Sequence, residues 1–338
     1  MNTPHAAPRA PSLDEVRAAR TRIAGLAQHT PLVSFDHRVE APELFLKLEN
    51  LQPIGAFKIR GAANAMAVAI PETLAHGVYT ASAGNMAQGV AFCARARGIA
   101  CAVMVPEHAP RAKTDAIERF GGSVIRVPFE QWWQTMLDHG AAGMTGQFIH
   151  PFADSAVMAG NGTIALELFE ALASDVDAIL VPYGGGGLAC GIAAAARALR
   201  PDVKIYAVEV DTAAPLTASF AAGHPTVVTR TRTFIDGMGS DRVVDEMWPL
   251  ARDLLSGTVV VTVAQIADAV RQLAIRTRTI AEGAGASSLA AALTLRTPNA
   301  RGANVVALQN ARRVVGIVSG GNIDHDVLST ILRGETPA

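Results

Sequence analysis

Short β-branched runs alternate with alanine-rich stretches along most of this chain, and that alternation constrains the fold more than any other feature. The runs Leu44–Leu48, Gly77–Ala81, Ala100–Val105, Ser123–Val127, Ala178–Val181, Lys204–Glu209, Gly257–Thr262 and Val314–Val318 predict strands. Between them, Gly84–Arg97, Arg111–Phe120, Gly162–Ala173 and Gly187–Leu199 predict helices. A strand that reaches the next through a helix pairs in parallel, so the expectation is βαβ units in an open, doubly wound α/β sheet. Ligands of such sheets sit at the carboxyl ends of strands, beside helix N-termini. Residues 76–152 read as a βαβαβ unit of their own. The expected organisation is therefore a large domain from residues 1–75 and 153–338, with 76–152 inserted as a small domain and the site in the cleft between them.

Composition narrows the partner. Lys plus Arg total 29 against 30 for Asp plus Glu, so no bulk electrostatic argument favours nucleic acid or an anionic membrane. A small molecule, or a second copy of the chain, is left. Gly, Pro or a charge interrupts every apolar run before the ~18 residues of a membrane span. The N-terminal MNTPHAAPRAPSLDEV has no apolar core of a secretory signal, and its first eleven residues read as frayed. Cys93, Cys101 and Cys190 are too few and too scattered for a disulfide framework or a zinc cluster. Reduced core thiols in a cytoplasmic enzyme are the expectation.

Within QPIGAFKIRGAAN, Lys58 stands among small and apolar neighbours. An ammonium there is costly unless it is paired, loses its proton or is covalently occupied. A second signal lies in DAILVPYGGGGLACGIA, where Gly184, Gly185, Gly186 and Gly187 lead from a strand into an alanine-rich helix. Successive backbone N–H groups with no side chain in the way, backed by a helix N-terminus, form a phosphate cradle. The loop also fits another pattern: Gly184, Gly186 and Ala189 match G-x-G-x-x-A, and Glu209 lies about 20 residues on, as in dinucleotide-binding enzymes. Two further strand ends carry polar turns, Ser82-Ala83-Gly84-Asn85-Met86 and Ser319-Gly320-Gly321-Asn322. The first can bind a carboxylate at the helix it opens. Alone, each could equally be a helix cap or a plain turn.

Together, GAFKIRGA, SAGNMAQGVA, PYGGGGLACGIA and SGGN, in that order, resemble the fold-type II pyridoxal-phosphate enzymes, specifically the threonine/serine dehydratase and serine racemase group. Weaker echoes are AGNGTIALEL and AEGAGASSLAAAL. The resemblance implies a tryptophan synthase β-like fold of two open, twisted, mostly parallel sheets with helices on both faces. It also implies pyridoxal 5'-phosphate as cofactor, held covalently by Lys58 with Phe57 beside it. Asn85 would bond the cofactor's phenolic oxygen. Gly184 to Gly187 and the Leu188 amide would hold its phosphate, and Ser319 would face its pyridine nitrogen. Ser82, Ala83, Gly84, Asn85 and Met86 would receive the substrate carboxylate. The implied activity is an ammonia-lyase, or dehydratase, converting a β-hydroxy amino acid to a 2-keto acid and ammonia. The implied assembly is a homodimer.

Departures from the family pattern carry information. Serine racemases of this group place a serine where this chain has Ala83, so racemisation loses its second-face proton donor. Their divalent metal site would fall on Glu209, the Ala213 carbonyl and position 215, and Pro215 cannot ligate; no divalent metal is expected there, and a monovalent cation near the glycine loop stays open. Ala56 and Met86 replace a Ser and a His found in most relatives. With Trp132, Trp133, Phe129 and Phe152 nearby in sequence, these changes read either as core packing or as a roomier apolar pocket for a β-aryl substrate such as phenylserine. The chain stops soon after SGGNIDHDVLSTILRG, so no C-terminal regulatory domain is expected. A dinucleotide-dependent oxidoreductase remains the reading from a different class.

Overall fold

Why two sheets form, and where they meet, is set by strand pairing in a computed structural model, which describes residues 7–35, 42–172, 176–295, 308 and 310–337. Among these residues the strands are β1 (Leu32–Ser34), β2 (Glu43–Leu48), β3 (Val78–Ala81), β4 (Cys101–Pro106), β5 (Ser123–Val127), β6 (Gln147–Phe148), β7 (Ala178–Pro182), β8 (Lys204–Val210), β9 (Gly257–Val261) and β10 (Arg313–Val318). One sheet has the order β1-β2-β10-β7-β8-β9 and the other β5-β4-β3-β6. Every pairing is parallel except β1 with β2. Each strand read from the sequence lies within one residue of an observed one. The four-strand sheet is drawn wholly from residues 78–148.

The helices are α1 (Leu13–Ile23), α2 (Lys58–Val68), α3 (Pro71–Leu74), α4 (Asn85–Ala96), α5 (Arg111–Arg119), α6 (Phe129–Leu137), α7 (Ser155–Ala171), α8 (Gly187–Leu199), α9 (Pro215–Ala222), α10 (Trp248–Leu254), α11 (Val263–Gln272), α12 (Gly283–Thr294) and α13 (His325–Leu332). One hydrophobic cluster joins residues of α1, α7, α8 and α10 to the large sheet, and another joins α11 and α12 to the same sheet. Both faces of this sheet are therefore covered, as a parallel sheet requires. The expected helix Gly162–Ala173 begins earlier, at Ser155, because Asp154 caps it by accepting from the Ala156 and Val157 N–H groups at 2.6 and 3.0 Å. Ala173 lies outside the described residues. The leader is not frayed at residue 9: the Arg9 N–H donates to Ser155 Oγ at 3.0 Å, and that hydroxyl donates back to the Arg9 carbonyl.

Helix α7 is wedged between α2 and α8 by close approach. A Cβ on Gly61 would stand 2.7 Å from Val157 Cγ1, and one on Gly160 would run into the Arg60 carbonyl. On the other side, a Cβ on Gly162 would lie 2.8 Å from the Gly191 carbonyl. These glycines carry a helix-propensity penalty of ~1 kcal/mol each, and helix–helix contact compensates for it. Beside this crossing lies a buried ionic cluster. Arg60 donates to Glu49 (2.7 and 2.8 Å) and to Glu167 (2.5 and 2.9 Å), and Lys47 donates to Glu167 at 2.6 Å. All four side chains are nearly or fully inaccessible. Burial pushes the Glu167 carboxyl up, but Arg60 and Lys47 outweigh it and hold the group below the ordinary carboxylate range. Replacing Arg60 by Met leaves two buried carboxylates short of partners. The expected loss is ~3–5 kcal/mol of unfolding free energy, read from denaturant midpoints.

Candidate active site

Lys58 opens α2 at the end of a turn shaped by Gly55, whose φ of 70° favours glycine and whose missing Cβ leaves room for Asn322 Oδ1. The turn after β10 is laced onto this loop. The Phe57 N–H donates to the Ser319 carbonyl at 3.0 Å, Ala56 bridges Gly320, and the Gly321 N–H donates to the Gly55 carbonyl at 2.8 Å. Ser319 is buried directly beyond the strand end, and Phe57 packs below the lysine, its ring centroid 5.1 Å from Lys58 Nζ. The amine donates to the Pro151 carbonyl at 2.6 Å. Burial pushes it down to about 8, and Glu282 pulls the other way.

Opposite stands the turn after β3. Ser82 Oγ accepts the Gly84 N–H at 3.2 Å, and α4 then begins at Asn85 with no side-chain cap. Asn85 donates to Glu282 Oε1 at 2.7 Å and accepts from Asn322 Nδ2 at 2.8 Å. Ser82, Ala83, Gly84 and Asn85 are partly accessible. Met86 is not: with Ala56 it is buried in a cluster that includes Ile54, Ile59 and Val90. Its side chain is core, so only its backbone amide can face a carboxylate. Trp132 and Trp133 pack on the core of the four-strand sheet around Tyr79, Met104 and Phe148.

The third wall is Gly184–Gly187, between β7 and α8. Gly186 has φ 91°. A Cβ on Gly185 would enter the Phe152 ring, and one on Gly187 would lie 2.6 Å from the Phe152 carbonyl. Helix α8, with Leu188 in its first turn, also has no side-chain cap. Its first N–H groups and its dipole are left to an anion. Two uncapped helix N-termini and a lysine with a depressed pKa fit a phosphate-bearing aldehyde and a substrate carboxylate. The dinucleotide reading loses its acidic residue. Buried Glu209 accepts from the Leu216 N–H (2.8 Å), the Thr217 N–H (2.7 Å) and Thr217 Oγ1 (2.6 Å), so it caps α9 instead of meeting a ribose.

Two residues of the site escaped individual notice in the sequence, Glu282 and Asn322. Both lie inside strings that carry the resemblance, AEGAGASSLAAAL and SGGN. Burial pushes the Glu282 carboxyl up to about 7, while the Asn85 hydrogen bond opposes this. Residues 23–310 match the model of a family described as pyridoxal-phosphate dependent enzyme. The chain is 39% identical over 325 residues to an L-threonine ammonia-lyase of Geobacter sulfurreducens, covering 94% of this chain and 77% of that one. It is 35% identical to a serine racemase of Oryza sativa subsp. indica, covering 94% and 93%. The solved structure of maize serine racemase superposes with a TM-score of 0.84 at 33% identity, covering 96% and 98%.

Two outcomes are expected. Gly185→Ala displaces Phe152 or the loop and weakens cofactor retention at least ~10-fold, about 1.4 kcal/mol, measured by dialysis against limiting cofactor. In cofactor-free protein, the folded Lys58 amine titrates near 8 and the unfolded one near 10.5. The unfolded state thus binds the extra proton between these pH values, and stability from this group rises with pH across that window. Below it, Lys58→Met is expected to be more stable than wild type, and the gap closes by about pH 10.5, as followed by chemical denaturation.

Proposed function

The chain belongs to the pyridoxal-phosphate-dependent enzyme family, and from that premise we propose that it is a dehydratase, an ammonia-lyase acting on a β-hydroxy amino acid of the threonine or serine type. The observation that carries this reading is the buried Lys58 amine, its pKa lowered to about 8, set among two helix N-termini, those of α4 and α8, that no side chain caps; Ala83 stands where the family resemblance puts the second-face residue. Gly184–Gly187 and the Leu188 amide would hold the cofactor phosphate, Lys58 would anchor the cofactor, Asn85 would meet its phenolic oxygen and Ser319 its ring nitrogen. Bound there, the cofactor supplies an electron sink for the charge left when a bond at the substrate Cα breaks.

The protein's own groups select the bond that breaks and the path of its proton. Ser82 and the amides through Met86 orient the substrate carboxylate at the α4 N-terminus. With its pKa near 8, Lys58 holds an appreciable neutral fraction at pH 7–8 and can take the Cα proton. Ser319 would offer a hydroxyl rather than a carboxylate to the ring nitrogen. A hydroxyl is the weaker partner of the two and would favour loss of a β-hydroxyl group. Across the reaction, water is lost at Cβ and regained when the released enamine hydrolyses, giving a 2-keto acid and ammonia. Ala83 has no proton to give the opposite face, which argues against racemisation although serine racemases are similar to the chain over nearly its whole length. The burial of Ala56 and Met86 supports core packing over an enlarged pocket, so threonine and serine rank above phenylserine.

Assaying 2-keto acid from L-threonine, L-serine and threo-phenylserine tests the reading. Threonine or serine is expected to turn over fastest, and Lys58→Ala to lose at least ~1,000-fold, in keeping with removal of an anchor and base together. D-serine formed faster than pyruvate would overturn the dehydratase assignment.

A further inference from the structure

A long segment without helix or strand, residues 224–244, crosses from α9 toward α10. Segments of this length in compact folds are commonly functional. Ile235 and Met238 anchor it in the large-sheet core. Between these anchors, Asp236 and Gly237 are held against the site. The Gly237 carbonyl lies 3.0 Å from where a Cβ on Gly184 would stand, and a Cβ on Gly237 would lie 2.8 Å from Ala284 Cβ and 3.5 Å from Glu282 Oε1. The segment therefore runs between the start of the phosphate cradle and the carboxyl that holds Asn85.

Residues 76–152, which we take as the small domain, reach this segment and the turn after it. Lys113 of α5 donates to Asp236 at 2.7 Å. Arg242 lies over the Trp133 ring at 6.0 Å, and His139 meets Glu246 at 2.8 Å. Of these contacts, only the first is placed beside Glu282.

We propose that Lys113 and Asp236 are positioning residues of this site, a clasp that joins α5 to the 224–244 segment at the cleft mouth and balances the charge around Glu282. The groups facing Glu282 come from four elements: Asn85 of α4, Asp236 of the segment, Lys113 of α5 and Lys58 of α2. Asp236 disfavours the Glu282 carboxylate and Lys113 favours it, each more strongly than Lys58 acts. With both present their effects oppose, and Glu282 stays poised near neutrality. An exposed pair of this kind adds little to global stability, so its consequence is local. It keeps the carboxyl able to accept from Asn85 and closes the mouth with a bond that can open for substrate.

The inference rests on the dehydratase reading only for its effect on turnover, and its closing experiment reads Glu282 directly. The probe is the infrared carboxylic-acid stretch of Glu282, assigned by its loss in Glu282→Gln and titrated in protein with and without cofactor. Lys113→Met is expected to move the midpoint up, because Asp236 then acts unopposed. Asp236→Asn is expected to move it down, each by roughly half a unit. The double variant should return toward wild type, and Lys113→Arg should keep the wild-type midpoint. A purely structural tie predicts shifts of the same sign, or none, in the two single variants, and either result overturns the proposal. Thermal melts check that the exposed substitutions leave the fold intact. A failed keto-acid assay with opposite infrared shifts would sink the dehydratase reading and leave the clasp standing.

Discussion

The contact on which the rest of the molecule depends is the grip of Arg60 on Glu49 and Glu167, two residues after Lys58. It joins α2 to the turn that follows β2 and to α7. Lys47, on β2, completes a cluster of two cations and two carboxylates with no net charge. Buried ion pairs are poor sources of stability, since desolvation offsets much of the Coulomb attraction. Their value lies in directionality: a guanidinium fork that donates to two carboxylates admits one rotation of α2, and that rotation points Lys58 into the cleft. An apolar contact of similar volume would tolerate a slide that a charged fork does not.

Glycine packing then sets the second coordinate. Helix α7 touches α2 through Gly61 and Gly160, and α8 through Gly162 and Gly191. The backbones approach so closely that the separation between the lysine helix and the helix following the Gly184–Gly187 loop is fixed by main-chain contact, which has no rotamers to vary. Phe152, just ahead of α7, seats its ring against Gly185, and the Pro151 carbonyl accepts from Lys58. One short turn thus reports the position of α7 to the amine and to the cradle at once.

How much of this was legible in the sequence differs by interaction range. Strands such as Ser123–Val127 and helices such as Gly187–Leu199 are local matters of β-branching, alanine content and glycine punctuation, and they fall where the pattern puts them. The two-residue β6 carries no periodicity to detect, and the start of α7 was hidden because Gly160 and Gly162 lower the helical signal while serving tertiary contact. Lys58, Asn85, Ser319 and the four glycines stood out as candidates because chemistry restricts those residue types at those spacings. Glu282 was not, since its meaning comes from Asn85, 197 positions away in sequence. Met86 illustrates the converse. Its place in a site motif left both core packing and a pocket wall open, and the first turn of α4 carries its side chain into the core with Ile54 and Ile59.

The same low-dielectric setting acts in opposite directions on the two titrating groups of the cleft. Burial lowers the Lys58 amine toward 8 and raises the Glu282 carboxyl toward 7, each shift tempered by the other's charge. Two groups of opposite type thereby approach the same pH range, so that near neutrality each can hold or give up a proton. Were either one exposed, lysine would stay charged and glutamate ionised, and the cleft would contain a fixed ion pair with no capacity to exchange protons. Asn85 couples the glutamate to the Ser82–Met86 turn, and the Asn322 amide fixes which way Asn85 points, because its own nitrogen also donates to the Ile54 carbonyl. Proton readiness at the lysine and alignment of the Ser82–Met86 turn therefore depend on one polar network. The backbone that supports it, the Ser319–Asn322 turn laced to Ala56 and Phe57, is continuous with the loop that presents the amine.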